Sequence, residues 1–180
     1  QYLYEGNNSN VFSYYHGKWV IADSPMPGGN GTLGSFWPSV GNQLQKYYNE
    51  DIYFIDCARE DAIITDWSSR GKYYQLSQFC FSIGKNISNN YSVLWQEGPQ
   101  DNIYSYNSNV FVNILTNLIT SDQTWYLSIF TYPDNNSYRW AKINDISFIL
   151  RNIANTYLGA DIDSGCWDNI TFNQEQNQDI

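Results

Sequence analysis

Very few residues of this chain are suited to nucleophilic or acid–base chemistry near neutral pH. His16 is the only histidine, and a serine that could attack a carbonyl, Ser9, lies in the polar stretch 6–10. Near the C-terminus, Asp168 precedes Thr171 by three positions. Acyl transfer by a serine needs a neighbouring base that is unprotonated near neutral pH, and a threonine hydroxyl cannot accept the proton. The C-terminal block therefore contains a carboxylate but no base.

A second set of candidate residues consists of four carboxylates and three tryptophans. The carboxylates are Glu60, Asp61, Glu97 and Asp168. Hard cations take oxygen ligands, so the four carboxylates would form a cation site if the fold brought them to one place. We expect the four carboxylates instead to be solvated in different loops, with no metal and no other cofactor. The tryptophans offer flat faces for sugar rings or, more simply, for core packing; they are Trp67, Trp95 and Trp167.

The elements that must position these residues alternate between short apolar runs and amphipathic segments. Strands are predicted at 2–4, 52–57, 92–95 and 125–130. Helices are predicted at 39–48, 72–83, 109–119 and 143–157, and the glycine-rich stretch 25–32 is a predicted loop. This alternation predicts an α/β fold, a three-layer α/β/α sandwich with a parallel sheet of about five strands. Residues 1–180 are expected to form one domain, with strands near 2–5, 52–57, 92–96 and 125–131 adjacent in one sheet. Sites in such folds form in loops beyond the carboxyl ends of the strands.

Two local predictions follow from the N-terminal third of the chain. The dense apolar run 52–57 is expected to be buried on both faces, with Cys57 inside the strand. His16 precedes Gly17 and is expected to lie in the turn of an N-terminal hairpin, away from the strand ends. It is therefore expected to be a solvated turn residue, although it is the one side chain that could replace a missing base.

Five blocks occur in an order and spacing that resemble one known family. They are the stretch 6–10, Trp37-Pro38, the stretch 55–67, the stretch 94–101 and the stretch 168–172. They resemble the Gly-Gln-Ser-Asn, Trp-Pro, Gly-Gly-Thr, Trp-x-Gln-Gly-Glu-x-Asp and Asp-x-x-His-Phe blocks of the sialate O-acetylesterase-like branch of the SGNH hydrolases. The resemblance spans nearly the whole chain and implies an SGNH-like fold.

The resemblance also implies a catalytic serine, a final histidine base and an aspartate that orients it. The serine position falls on Ser9 if one residue is inserted in the first block, and on Asn8 if none is. Asp168 matches the family's aspartate, whereas Thr171 stands where the family has histidine.

The oxyanion-binding residues that the resemblance implies are also altered. The two glycines of the family fall on Glu60 and Asp61, its amide donor falls on Glu97, and the following glutamate falls on Pro99. Two like charges ~4 Å apart repel by about 4 kcal/mol at an effective dielectric near 20. Carboxylates at these positions oppose the negative charge that develops on the intermediate. The expected protein has lost hydrolase chemistry; the alternative is an active carbohydrate O-acetylesterase with an unrecognised base.

Composition restricts the partners. The net charge is −9 with only nine Lys and Arg residues, which disfavours nucleic acid and anionic membrane surfaces. No run reaches the ~18 apolar residues of a membrane span. Expected partners are carbohydrate or other extracellular glycoproteins, including further copies of the chain, and the domain could belong to a larger extracellular protein.

The glycosylation motifs predict secretion. Six Asn-x-Ser/Thr acceptors are present, at Asn7, Asn30, Asn86, Asn90, Asn135 and Asn169. The three cysteines, Cys57, Cys80 and Cys166, permit one disulfide and one remaining thiol, and the sequence does not choose the pair.

Overall fold

The computed structural model of the chain describes residues 10–29, 35–60, 62–96, 106–129, 136–161, 167–168 and 171–172. For residues 129, 136–138, 161, 167–168 and 171–172, it describes the backbone alone. The chain divides into two compact units, one formed by residues 1–60 with 79–83 and the other by residues 61–78 with 84–180. The prediction of a single domain over residues 1–180 stays a prediction.

The described elements establish a mixed α/β fold. The strands are β1 (Val11–Tyr15), β2 (Lys18–Ile21), β3 (Ile52–Phe54), β4 (Ser92–Gln96), β5 (Thr124–Ile129), β6 (Thr156–Asp161), β7 (Trp167–Asp168) and β8 (Thr171–Phe172). The helices are α1 (Trp37–Tyr48), α2 (Tyr74–Ile87), α3 (Ser108–Leu118) and α4 (Asn136–Asn152), with a 3-10 turn at Ile64–Trp67. The described strands form the sheets β2-β1-β3 and β4-β5-β6 and the pair β7-β8.

The first unit begins with the hairpin of β1 and β2. Its two-residue turn consists of His16 and Gly17, with φ values of 49° and 81°. Positive φ at both positions is the geometry of the tight turns whose twist matches that of paired strands. The hairpin prediction is confirmed, and His16 is exposed at the turn.

One face of the β2-β1-β3 sheet carries the core of the first unit. β3 runs parallel to β1, and α1 connects them. Val11 is fully buried and forms a cluster with Ala22 and Met26, against which Trp37 and Phe54 pack. Alternate residues of a strand point to opposite faces, so the neighbouring strand residues lie on the other side of this sheet.

Close packing between α1 and this sheet depends on a residue without a side chain. A Cβ built on Gly41 would lie 2.5 Å from Val11 Cγ1 and 2.7 Å from Phe54 Cε2. α1 begins with Pro38 in its first turn and ends at Asn49, whose φ of 56° is left-handed, both common terminal signals. The helix predicted at 39–48 is confirmed with two more residues at its start.

The second unit contains the all-parallel sheet β4-β5-β6 and the helices α3 and α4. β4 pairs with β5, and β5 pairs with β6, through α3 and α4 respectively. Asn107 begins α3 by accepting the Val110 N–H at 3.2 Å, which satisfies one of the unpaired donors of the first turn. The core residues of this unit are almost completely buried; they include Phe111, Leu115, Trp125, Leu127 and Ile149.

The last predicted helix, 143–157, is wrong at both ends. The helix begins at Asn136 and ends at Asn152, and Tyr157 lies in β6. The apolar stripe was located correctly, because Ile146 and Ile149 are buried. Asn155, with a φ of 59°, stands at the start of the strand that pairs with β5. Strand pairing of this kind is non-local, so helical periodicity alone could not reveal it.

The prediction for the run 52–57 is also wrong in two respects. The strand is limited to Ile52–Phe54, and Tyr53 is 44% exposed. Cys57 lies beyond the strand, is half-buried and forms a disulfide with Cys80. A run of apolar residues therefore indicated a strand correctly, but it did not show that both faces were covered.

The remaining strands and helices were predicted to within a few residues. The segments predicted at 92–95, 109–119 and 125–130 correspond to β4, α3 and β5, and the helix predicted at 72–83 is α2, at Tyr74–Ile87. The strand predicted at 2–4 lies outside the described residues. The single sheet of about five strands is not confirmed, because the described strands form separate ladders.

We predict that Gly41→Ala destabilises the protein. An alanine in a helix interior normally stabilises by up to ~1 kcal/mol, but here its methyl group would overlap Val11 and Phe54, at a cost of about 1–3 kcal/mol. Urea unfolding measures the change in the free energy of unfolding. Ser39→Ala, an exposed position in the same helix, is the control. A midpoint for Gly41→Ala equal to or above that of the parent protein would contradict this packing.

Candidate functional site

The C-terminal candidates lie on two short antiparallel strands. Asp168 in β7 and Thr171 in β8 are direct partners in the antiparallel pair, and Trp167 pairs with Phe172. The two positions that the family resemblance assigns to aspartate and histidine are thus neighbours across this ladder. Thr171 thus presents a hydroxyl at the position where the resemblance implies an imidazole.

Several of the predicted site residues cannot be placed. Ser9, its alternative Asn8, Asp61, Glu97 and Pro99 lie outside the described residues. Glu60 is described; it is an exposed turn residue in the first unit. At Glu60, the described one of the predicted oxyanion positions, the side chain is therefore an exposed carboxylate. A carboxylate is a hydrogen-bond acceptor when ionised.

Asp56 is a candidate functional residue that the sequence interpretation missed. It follows β3 by two residues, at the carboxyl end of a parallel pair, and its Oδ1 accepts the Ala58 N–H at 3.0 Å. Burial raises the pKa of the Asp56 carboxyl, and the Ala58 N–H and the positive charge of Arg59 oppose this effect. A carboxylate directly after an apolar strand was the signal that could have identified it.

Two adjacent glycines pack closely at this point, Gly29 against the Asp56 carboxyl group and Gly28 against the backbone of Tyr14. A Cβ on Gly29 would lie 2.8 Å from Asp56 Oδ2, and a Cβ on Gly28 would lie 2.7 Å from the Tyr14 carbonyl oxygen. Gly28 also has a φ of 99°, which disfavours any residue with a side chain. The loop predicted from glycine content at 25–32 thus brings backbone close to a half-buried carboxyl group. This environment is typical of groups that exchange protons in functional sites.

The disulfide holds the segment that follows β3. Cys57 is adjacent to Asp56, and its bond to Cys80 links this segment to a helix residue of the same unit. Arg59 is restrained nearby, because its Nη1 donates to the Ala58 carbonyl at 2.6 Å. The sequence did not show which two of the three cysteines pair; the structure pairs Cys57 with Cys80, and Cys166 is the third cysteine.

The tryptophans proposed for sugar stacking are largely core residues in the described part of the chain. Trp67 is only 9% exposed, and its ring lies 5.6 Å from that of Trp95, which lies 6.1 Å from the fully buried Trp125. Burial excludes Trp67 from contact with a sugar. Trp95 Nε1 is buried and has no hydrogen-bond partner among the described residues. The side chain of Trp167 lies outside them.

Among the described residues, no three His, Cys, Asp or Glu side chains are grouped so that they could hold a metal ion. This does not decide the four-carboxylate hypothesis, since the side chains of Asp61, Glu97 and Asp168 are not described. No described helix combines the length and the apolar character that crossing a membrane requires.

Comparison with known proteins found no match to a family model, to a curated protein or to a solved structure.

We predict that Asp56→Asn changes the pH dependence of stability. Burial raises the folded-state pKa of Asp56 above its ordinary value of 3.8, so its stabilising contribution is present below that value and is lost as pH rises through the folded pKa. The variant keeps an acceptor for the Ala58 N–H but does not titrate. Its free energy of unfolding should improve relative to the parent as pH rises from about 3 to about 7.

Urea unfolding across this pH range checks the prediction. Glu50→Gln, which changes an exposed carboxylate after α1, is the control. If the difference between Asp56→Asn and the parent protein does not vary with pH, the assigned environment of Asp56 is wrong.

Proposed function

We propose that this chain is a secreted, glycosylated SGNH-esterase-like domain that has lost hydrolase chemistry and serves in extracellular binding or assembly. Its partners are carbohydrate, other extracellular glycoproteins or copies of itself. The observation that carries the proposal is the cross-strand pairing of Asp168 with Thr171, because it combines the family's aspartate with a residue that cannot act as the base.

The proposed fold is finer than the described one. We infer a three-layer α/β/α sandwich with about five parallel strands. Its support is that five described strands, β1, β3, β4, β5 and β6, take part in parallel pairs. The elements between paired strands include a helix in every case, which is how parallel neighbours are connected in α/β proteins.

The only histidine supports the loss of catalysis. His16 stands in the exposed turn of the β1–β2 hairpin, in edge-to-face contact with Tyr15. A general base acts within hydrogen-bond reach of the proton that it removes. The hairpin turn fixes the backbone of His16, and no hydrogen bond from its imidazole to a carboxylate is found among the described residues.

Two observations support an extracellular location. The Cys57–Cys80 disulfide is a bond that persists in oxidising compartments. Two glycosylation acceptors that are described, Asn86 at the end of α2 and Asn90 in the following bend, are both exposed. A folded chain can carry sugar at either position without disturbing a core.

The alternative function is a divergent carbohydrate O-acetylesterase. The raised pKa and half-buried position of Asp56 favour it specifically, since a carboxyl group with these properties can act as an acid or a base. We regard it as second because the positions implied for the histidine and for the oxyanion glycines carry Thr171, Glu60 and Asp61.

We predict no esterase turnover above buffer on p-nitrophenyl acetate or an acetylated sugar. Loss of one oxyanion donor costs ~10²–10³ in turnover, and loss of a triad member ~10⁴ or more. Thr171→His alone should restore little or nothing, because the oxyanion region keeps its carboxylates.

The assay distinguishes the two functions through matched variants. Turnover that disappears in Ser9→Ala shows an active serine enzyme and contradicts the proposal. If such turnover also disappears in Asp56→Asn but not in Glu50→Gln, Asp56 is the unrecognised base.

We predict that the chain purified from its natural source carries N-linked glycans at several of its six acceptors. Intact mass before and after enzymatic deglycosylation measures them, and peptide mapping locates them. Asn86→Gln and Asn90→Gln report on the two described acceptors. An unchanged mass after deglycosylation would show that the assigned compartment is wrong.

A further inference from the structure

A row of aromatic side chains lies on the β2-β1-β3 sheet, on the face opposite α1. Its members, called here the aromatic face, are Phe12, Tyr14, Trp19 and Tyr53. Phe12 stacks on Tyr53 with ring centroids 5.1 Å apart, Tyr53 contacts Trp19 at 5.1 Å, and Trp19 contacts Tyr14 at 5.2 Å. The strand register explains the row, because Phe12 pairs with Tyr53 and Tyr14 pairs with Trp19.

The aromatic face is incompletely covered by the described residues. Tyr53 is 44% exposed, and Ile21, the cross-strand partner of Phe12, is 36% exposed. Phe79 of α2 contacts the Tyr14 ring at 6.4 Å and is itself 54% exposed. Clustered exposed apolar groups with a polar rim mark interaction sites more often than isolated ones do.

The chemistry of this face suits a sugar ring. Three of its four members carry a polar tip on an apolar body: the hydroxyls of Tyr14 and Tyr53 and the indole N–H of Trp19. The Tyr53 hydroxyl donates to Asp51 Oδ2 at 3.5 Å. Apolar ring surface beside hydroxyl and carboxylate groups matches the C–H faces and the hydroxyls of a saccharide.

The negative charge of the chain limits which ligands the aromatic face can bind. A second copy of the chain would bring another net charge of −9, and the repulsion between like net charges opposes self-association. Acidic glycans are disfavoured for the same reason. The charged group described at the face is the Asp51 carboxylate, which repels anionic sugars and can accept hydrogen bonds from the hydroxyls of an uncharged one.

We propose that the aromatic face of the β2-β1-β3 sheet is a binding site for neutral glycans. This rests on the proposed binding function and assigns it to residues other than Asp168, Thr171 and Asp56. Sugar rings contact the aromatic side chains, and their hydroxyls exchange hydrogen bonds with Tyr53 and Asp51.

An array of neutral hexose and N-acetylhexosamine oligosaccharides, with sialylated counterparts, tests the proposal, and calorimetry measures the affinity of each hit. Tyr53→Ser removes an exposed ring and should weaken binding about tenfold, the equivalent of ~1.4 kcal/mol. Tyr53→Phe keeps the ring and should lose less. Tyr47→Ser, which removes an 81% exposed tyrosine from α1, is the matched control and should bind like the parent.

The outcomes separate this proposal from the loss of catalysis, which the esterase assay decides independently. Failure to bind any neutral oligosaccharide overturns the proposal, as does an equal loss in Tyr47→Ser. Preference for sialylated sugars also overturns it. Light scattering that shows self-association abolished by Tyr53→Ser would assign the face to a second copy instead. Circular dichroism confirms that each variant is folded.

Discussion

Parallel strand pairing is the constraint on which both units depend. Parallel neighbours cannot be joined by a tight turn, so the chain must cross from one end of a strand to the other. In this chain α1 lies between β1 and β3, α3 between β4 and β5, and α4 between β5 and β6. The crossing helices α3 and α4 carry buried apolar residues, among them Leu115 and Ile149. The cores around Val11 and Trp125 follow from that arrangement.

The buried polar groups show how these cores tolerate polarity. Gln123 is 5% exposed; its Oε1 accepts the Trp125 indole N–H at 3.0 Å, and its Nε2 donates to the Tyr91 hydroxyl. Lys142 is fully buried, with Nζ 5.7 Å from the centroid of the Phe111 ring. Hydrogen bonds and cation–π contact offset part of the desolvation cost of these groups. Such contacts also favour one register of the packed elements over others.

The candidate functional residues differ in how far the described packing constrains them. Sites in α/β folds lie in the loops after strands, so substitutions there alter chemistry without disturbing the core. Glu60 is an exposed turn residue, so its side chain is not part of a buried core. Asp56 differs, because it is half-buried against Gly29 and its ionisation is coupled to local packing.

The sequence by itself determined the features that depend on local pattern. These are the α/β class, the helices whose apolar stripes include Leu115 and Ile149, and the hairpin turn at His16, since periodicity and turn chemistry act over a few residues. Tertiary structure decided the pairing of Cys57 with Cys80 and the environment of Asp56, because each depends on which elements meet. It also placed Trp67 inside and left Tyr53 partly exposed, although both belong to apolar stretches. Whether an aromatic residue becomes core or surface depends on what covers its face, which no local pattern encodes.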